Sequence, residues 1–552
     1  MGIGTIANNG IYIIGEKLKT RTKLSIPLFV IKATAIASLG GVLFGYDTGI
    51  IAGALPQVTQ DFTLSSQQQE WSVGILYLGA GLGAAVGGVL CDVFGRKRSI
   101  MGTDVVFVVG AVLLASAPNV AQFLVGRVVV GFAVSISAIA DVSYLHEIAP
   151  RKWRGAIVSV NEACISLGFL VAFAFGVMWN NVNGGWRLMF GVSGLLGLVQ
   201  YVGMLAMPES PVWLKQKGRE EESREALQKI HGEIIPSGET TLSELSDAEE
   251  NDENKHSSHV KLNEDVQDDE LVTPHDAAQQ LSSPTQSGDK LNSFFHIVVQ
   301  YRYQCCIALF ISMAQQFCGQ AAVLNYAPLI FSDLDDSDFS ITLWIGGVKF
   351  LTTVAVICSI EYRGRRFLML FGTFAIVIGQ FLVAFAFSIG NAIEGDTTES
   401  AMTCGFIGIL AVVFGYSVSF GPLSWVIISE MFPSYIRGRA LGGSTVVNYV
   451  CATLVTSTFL SMEGLIGARN VFFLYGLITL FAMMFVVIAI PETGKKSPKE
   501  IDELVRRMWL WNKFQRREVL QVDENDSIEL SQTNLPAQGN SRTLQVHDAE
   551  LA

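Results

Sequence analysis

Apolar residues run in long blocks along this chain, not in short alternations. The blocks read 30–54, 71–91, 99–117, 121–146, 155–177 and 187–207. After a polar gap come 301–331, 341–360, 367–390, 402–430, 438–461 and 469–490. A helix needs roughly 20 apolar residues to cross a bilayer. Lipid offers no partner to an open strand edge, so each block is read as a helix. The pattern predicts an all-α membrane protein with twelve transmembrane helices in two six-helix halves. The expected divisions are an N-terminal segment 1–29, a first half 30–207, a loop 208–300, a second half 301–490 and a tail 491–552.

Basic residues orient the layout, because Lys and Arg collect on the cytoplasmic side of membrane proteins. Arg96-Lys97-Arg98, Arg151-Lys152-Trp153-Arg154, Arg363-Gly364-Arg365-Arg366 and Arg437-Gly438-Arg439 all fall on one side, with both termini and the 208–300 loop. The opposite turns 61–70, 178–185, 332–340 and 391–400 hold no Lys or Arg. Both termini and the loop are therefore expected in the cytoplasm, and the plasma membrane is the expected location. Basic residues at 17–23 precede an apolar block too long for a cleaved signal peptide.

Composition refines this only slightly. Charged residues make up 16% of the chain, against roughly 25% in soluble domains. The net charge of −12 is local, since thirteen acids face two Lys between 237 and 276. That stretch reads as a disordered polar loop. The charge balance points to no nucleic-acid partner. The eight Cys form no Cys-x-x-Cys pair, so neither a metal site nor a cofactor is expected. No nucleophile–base set or phosphate loop marks an enzyme.

The halves repeat. Asp92-x-x-Gly95-Arg96-Lys97 matches Glu361-x-x-Gly364-Arg365-Arg366. Glu147-x-x-Pro150-x-x-x-Arg154-Gly155 matches Glu430-x-x-Pro433-x-x-x-Arg437-Gly438, and Pro208-Glu209-Ser210 matches Pro491-Glu492-Thr493. Two homologous halves about an axis normal to the membrane form a transporter plan, with the solute site between them near the midplane. Charges at helix ends are costly unless paired. Asp92, Arg96, Glu147, Arg154, Glu361, Arg365, Glu430 and Arg437 are therefore expected to pair as an inner gate that opens when the halves rock. Gly79, Gly83, Gly87 and Gly88 on the second helix are expected to let helix backbones touch.

Asp47 lies inside the first helix, where an acid costs about 2.5–3.5 kcal/mol on insertion scales. Arg127, early in the fourth helix, is its expected partner. A carboxylate beside Arg stays ionised, and one that loses its Arg in a dry site takes a proton. That alternation would couple a proton to transport. Asp104 and Asp141 are further acids at membrane depth. A sugar needs amides, carboxylates and an aromatic face. Glu162, Gln315, Gln316, Asn325, Trp425 and Asn448 with Tyr449 supply them, although each alone could be an interhelical hydrogen bond.

These motifs resemble the sugar porter family of the major facilitator superfamily, over about 35–215 and 300–500. The residues that carry the likeness include Gly126-Arg127, Pro208-Glu209-Ser210-Pro211, Gln315-Gln316-x-x-Gly319, Gly421-Pro422-x-x-Trp425 and Pro491-Glu492-Thr493. Phe44-Gly45-Tyr46-Asp47-Thr48-Gly49 is similar to proton-linked members. Asn161-Glu162, Gly319-Gln320 and Lys349 look like the branch with proton-linked and myo-inositol-type carriers. The resemblance implies the major facilitator fold, hexose or polyol transport and an inner charge gate, with Gly421 joining the solute site. Departures are Glu162 for the family's Gln, Ala321 for Asn, Asn325 for Tyr, Tyr449 for Trp, Val142 for Pro and Val212 for Arg. The first four put glucose itself in doubt and leave another sugar or a polyol. Three functions remain open at this point: a proton-coupled symporter, a facilitator, and a sugar receptor that signals through its loop and tail.

Overall fold

The computed structural model describes residues 27–150, 153–231, 300–332, 340–390, 398–494, 496 and 498–508. The expected acidic stretch 237–276, most of the tail and most of the segment 1–29 lie outside them.

The first half contains α1 (Leu28–Ala37), α2 (Leu39–Phe62), α3 (Ser66–Phe94), α4 (Arg96–Ala115), α5 (Val120–Ile148), α6 (Arg154–Trp179) and α7 (Gly185–Leu205). Two short helices follow, α8 (Pro211–Gln216) and α9 (Glu220–His231). The second half contains α10 (Arg302–Phe317), α11 (Gln320–Ser332), α12 (Ser340–Arg363), α13 (Arg365–Gly390), α14 (Thr398–Val418), α15 (Phe420–Met431), α16 (Ser434–Thr456), α17 (Phe459–Ile466) and α18 (Ala468–Ala489). Helix α19 (Pro498–Arg507) closes the described chain. Among the described residues, eleven stretches are long and apolar enough to span a bilayer, and α16 with α17, bent by 41°, makes a twelfth when counted as one span. Leu78, Leu82, Val89, Leu195, Leu198 and Val202 stand exposed on α3 and α7. In water such a belt would aggregate; lipid is its natural cover.

Local chemistry sets the helix ends. Ser65 and Gln68 form a reciprocal capping box at the start of α3, and Asn119 caps α5 through the Gln122 amide. Three spans of the second half are broken, at Cys318–Gly319, at Ser419 and at Ser457–Thr458. Such breaks suit backbone that lines a cavity and not backbone that meets lipid.

The tightest packing lies in the first half. A Cβ at Gly45 of α2 would run into the carbonyl of Ile165 on α6, and one at Gly53 would stand 2.7 Å from Cα of Gly176. On α3, Gly79 and Gly83 press against the α5 backbone at Val128 and Phe132, and Gly87 packs on Ile139. Gly88 meets nothing within 4 Å. Overpacking a tight core costs about 1–3 kcal/mol. Gly45→Val should therefore lower the thermal unfolding temperature in detergent by several degrees. Gly88→Ala should not, and equal loss in both would refute the close approach as the cause.

The halves meet along two long contacts, α3 with α16 and α6 with α12, with smaller ones between α2 and α11 and between α3 and α17.

Candidate transport site

On the face rich in Lys and Arg, the same device is built twice. Gly95 and Gly364 each hold a left-handed backbone, φ +98° and +80°, which favours glycine. That turn starts α4 and α13 with free backbone N–H groups. Glu209 accepts from the Lys97 amide at 2.9 Å, and Glu492 accepts from the amides of Arg365 at 2.8 Å and Arg366 at 3.1 Å. A carboxylate at a helix N-terminus also meets the favourable end of the dipole. Arg96 donates to Glu147 at 3.0 Å and to the Cys91 carbonyl at 3.1 Å. Arg365 donates to Glu430 at 3.2 Å and to the Ile360 carbonyl at 3.2 Å. Ser210 and Thr493 complete each set by donating to Glu147 and Glu430.

This corrects the expected gate in its wiring. Among the described residues the ion pairs stay inside one half, because Glu147 and Glu430 are held by the neighbouring turn of their own half. Asp92 meets Arg96 at 3.2 Å from an exposed position. Arg437 donates to the Phe432 carbonyl at 3.4 Å, and the buried Nε of Arg154 has no hydrogen-bond partner. The side chain of Glu361 lies outside the described residues. Glu209 and Glu492 had been seen only as repeat markers; their recurrence after each sixth span was the signal of a structural role.

On the opposite face the halves are bound directly. Buried Glu70 of α3 accepts from the Ser461 amide at 2.6 Å and from its hydroxyl at 2.7 Å, on α17. Asn325 of α11 donates to the Tyr77 hydroxyl of α3 at 3.2 Å. The two halves are thus latched on the face away from the charge clusters. Hydrogen bonds to a charged group are worth about 1.5–3 kcal/mol. Glu70→Ala should speed amide exchange across 457–466 by roughly tenfold or more; unchanged exchange would show that Glu70 is no latch.

Between these faces, Asp47 is completely buried in α2, and neither carboxylate oxygen has a hydrogen-bond partner. Arg127 lies beside it but is wired differently from the expected ion pair. Its guanidinium donates to the backbone carbonyl of Asp47 at 3.0 Å and to that of Ser72 at 3.1 Å, and it sits 5.8 Å from the Phe190 ring centroid. Main-chain oxygens of two helices take its donors, so the carboxylate of Asp47 keeps only the nearby Arg127 charge and the Ser193 hydroxyl as polar neighbours. Asp141 is better served, accepting from Ser137 at 2.7 Å and Gln200 at 3.4 Å, whereas the oxygens of Asp104 have no partner.

The expected sugar ligands divide. Gln316 donates to Asn448 at 3.0 Å, Asn448 donates to Gln315 at 3.1 Å, and Gln315 donates to Tyr416 at 3.0 Å. These residues, from α10, α14 and α16, form one buried amide network. Tyr449 is buried on α16. Trp425 and Gly421 are half-buried on α15, just past the Ser419 break. Asn325 stands apart, linked to Tyr77 on the face away from the charge clusters. Glu162 lies on α6 in the other half, with Lys349 of α12 as the charge that acts on it. Lys349 entered the sequence reading only through a resemblance; nothing in the periodicity shows that α12 faces α6.

Two bundles of membrane helices, braced alike at one face and enclosing polar residues between them, define a membrane transport protein. The family model described as "Sugar (and other) transporter" matches residues 33–505, and the chain belongs to that family. The galactose-proton symporter of Escherichia coli (strain K12) is 29% identical, over 85% of this chain and 92% of its own. Inositol transporter 4 of Arabidopsis thaliana is 27% identical over 89% of this chain and 94% of its own. A facilitated glucose transporter of Danio rerio, solute carrier family 2 member 10, is 29% identical over 87% and 95%. Among solved structures, the major facilitator proton:xylose symporter XylE superposes with a TM-score of 0.65 at 26% identity, covering 87% of this chain and all of that one. The inward-open form of XylE from E. coli gives a TM-score of 0.66 at 25% identity, over 86% and 99%. The fold is that of the major facilitator superfamily.

Proposed function

We propose that this protein carries a hexose or polyol across the plasma membrane by alternating access, together with a proton, with both termini in the cytoplasm. The observation that carries the reading is the buried, unpartnered carboxyl of Asp47 beside an arginine already bound to main-chain oxygens. A bare charge in an apolar interior is relieved by taking a proton. When the halves rock and water reaches α2, the proton can leave, and Arg127 is near enough to hold the anion. Symporters of galactose and xylose among the relatives support this coupling. Gln315, Gln316 and Asn448 would hold hydroxyls of the solute, with Glu162 from the other half and Trp425 as its apolar face; Gly421 lets the backbone of α15 lie close to Tyr416 beside it. The paired braces of Arg96–Glu147 and Arg365–Glu430 would keep each half rigid while the inner mouth opens between them.

A facilitator is the second reading, favoured by the Danio rerio relative. Reconstituted vesicles separate the two. Uphill uptake driven by an imposed pH gradient supports symport. Equilibration that ignores the gradient supports facilitation, and solute binding without flux would overturn both in favour of a receptor.

A further inference from the structure

In the run Arg96-Lys97-Arg98, the first two cations are bound by the protein and the third is not. Arg96 holds Glu147 and the Cys91 carbonyl. Lys97 donates to the Leu205 carbonyl at 3.1 Å and to that of Met207 at 2.6 Å. Arg98 is exposed, and among the described residues no acid pairs with it, since Asp92 and Glu147 both turn to Arg96. Arg98 lines one end of a cavity of about 310 Å³. Helices α3 and α4 each pack along α5 but touch one another little, so a cleft stays open between them. Phe132 and Ile136 of α5 form its floor, with Leu90 and Phe94 of α3 on one side and Gly102 and Val106 of α4 on the other. Ser99 and Thr103 also border it, but each hydroxyl donates at 2.7 Å to a carbonyl one turn earlier, of Gly95 and Ile100. The cleft therefore presents carbon along its length and a guanidinium at one end. From Arg98 to Val106 the helix rises about 12 Å. That is most of one leaflet in a hydrocarbon core about 30 Å thick.

The second half closes the same place. The repeat that sets Gly95 against Gly364 sets Arg98 against Phe367 and Gly102 against Phe371. Phe367 and Phe371 stack with ring centroids 6.3 Å apart, and Phe371 meets Phe414 edge-on at 6.2 Å. A Cβ built on Gly102 meets nothing within 4 Å. The first half thus leaves open, beside a free cation, what its counterpart fills with rings.

We propose that this cleft is a lipid site, in which an anionic phospholipid lays one acyl chain between α3 and α4 and rests its phosphate on Arg98. A guanidinium matches phosphate oxygens in a bidentate fork. A zwitterionic lipid brings its own cation to the phosphate and gains less from the arginine. The ligand is a lipid and not a free phosphate, because the slot below Arg98 is apolar and the neighbouring Val105 and Val109 of α4 stand exposed where lipid covers them. The site belongs to the first half alone.

Native mass spectrometry of the full-length protein in neutral detergent tests this, with phosphatidylglycerol as the probe and phosphatidylcholine and glycerol 3-phosphate as comparisons. Wild type should hold one phosphatidylglycerol about fivefold more tightly than phosphatidylcholine, the scale of one basic residue at an anionic surface. Arg98→Gln should erase that preference, and Gly102→Phe should empty the site of both lipids. Lys32→Gln removes an exposed lysine of α1 and should change neither. Equal losses in R98Q and K32Q would mean diffuse attraction to surface charge and would overturn the site. Full occupancy in G102F would take the acyl chain out of the cleft, and glycerol 3-phosphate binding as tightly as the lipid would show that no chain is read; either overturns the proposal. Thermal unfolding without lipid checks that G102F folds, and Gly102→Leu replaces it if it does not. Phosphatidylglycerol should also raise the unfolding temperature of wild type and leave that of R98Q unmoved; an equal rise in both counts against Arg98.

Discussion

Asp47→Asn should end accumulation of sugar against a gradient while leaving exchange intact. One pH unit is worth 1.36 kcal/mol per proton, which allows about tenfold concentration at one proton per solute. In vesicles held at such a gradient, wild type should approach that ratio and D47N should stay near unity. Equilibrium exchange of labelled sugar should persist in D47N, because Asn is nearly isosteric and no hydrogen bond of the Asp47 carboxylate is lost. The anchoring of Arg127 sharpens the expectation, since its bonds to the carbonyls of Asp47 and Ser72 survive the change. Accumulation by D47N equal to wild type would remove the acid from the coupling step. The partly served Asp141 and the unpartnered Asp104 would then be the acids to examine.

Arg365→Ala should cost the second half about 3–5 kcal/mol, the usual penalty for stripping one partner from a buried ion pair. It would leave Glu430 with Thr493 as its remaining donor and free the Ile360 carbonyl. Arg96→Ala should behave alike in the first half, because Glu147 and the Cys91 carbonyl repeat the arrangement. The comparison is Arg506→Ala, whose pair with Asp502 is partly exposed and worth little. Thermal unfolding of the three variants in one detergent decides the matter. An Arg365 loss no larger than that of Arg506 would show that the brace carries no weight.

Several features of this fold were legible before any coordinates. Blocks near twenty apolar residues marked the spans, and the three repeated motifs marked the two halves. What failed to show was how charges choose partners. Arg96, Glu147, Arg365 and Glu430 recur in both halves, and the recurrence marks ion pairs at the inner ends without saying which acid each arginine takes. The turn after Pro208 and Pro491 delivers Ser210 and Thr493 to those acids, and holds each within its own half. The breaks at Gly319, Ser419 and Ser457 were hidden because apolar residues continue across them. Arg127 reaches the main chain of Asp47, but whether a guanidinium chooses a carboxylate or a carbonyl depends on rotamers that no residue spacing encodes. Glu162 and Lys349 lie on helices whose adjacency only the tertiary packing reveals.

The near-contact of Gly53 with Gly176 has a mechanical consequence. It belongs to a seam in which the backbones of α2 and α6 come together directly at Gly45–Ile165 and at Gly53–Gly176. A joint that close has no soft layer in which to slip. Asp47 rides on one member and Glu162 on the other, so the group proposed to take the proton and a group proposed to grip the cargo are welded into a single lever. Whatever swings the one must swing the other, and the slack needed for a transport stroke has to come from seams elsewhere.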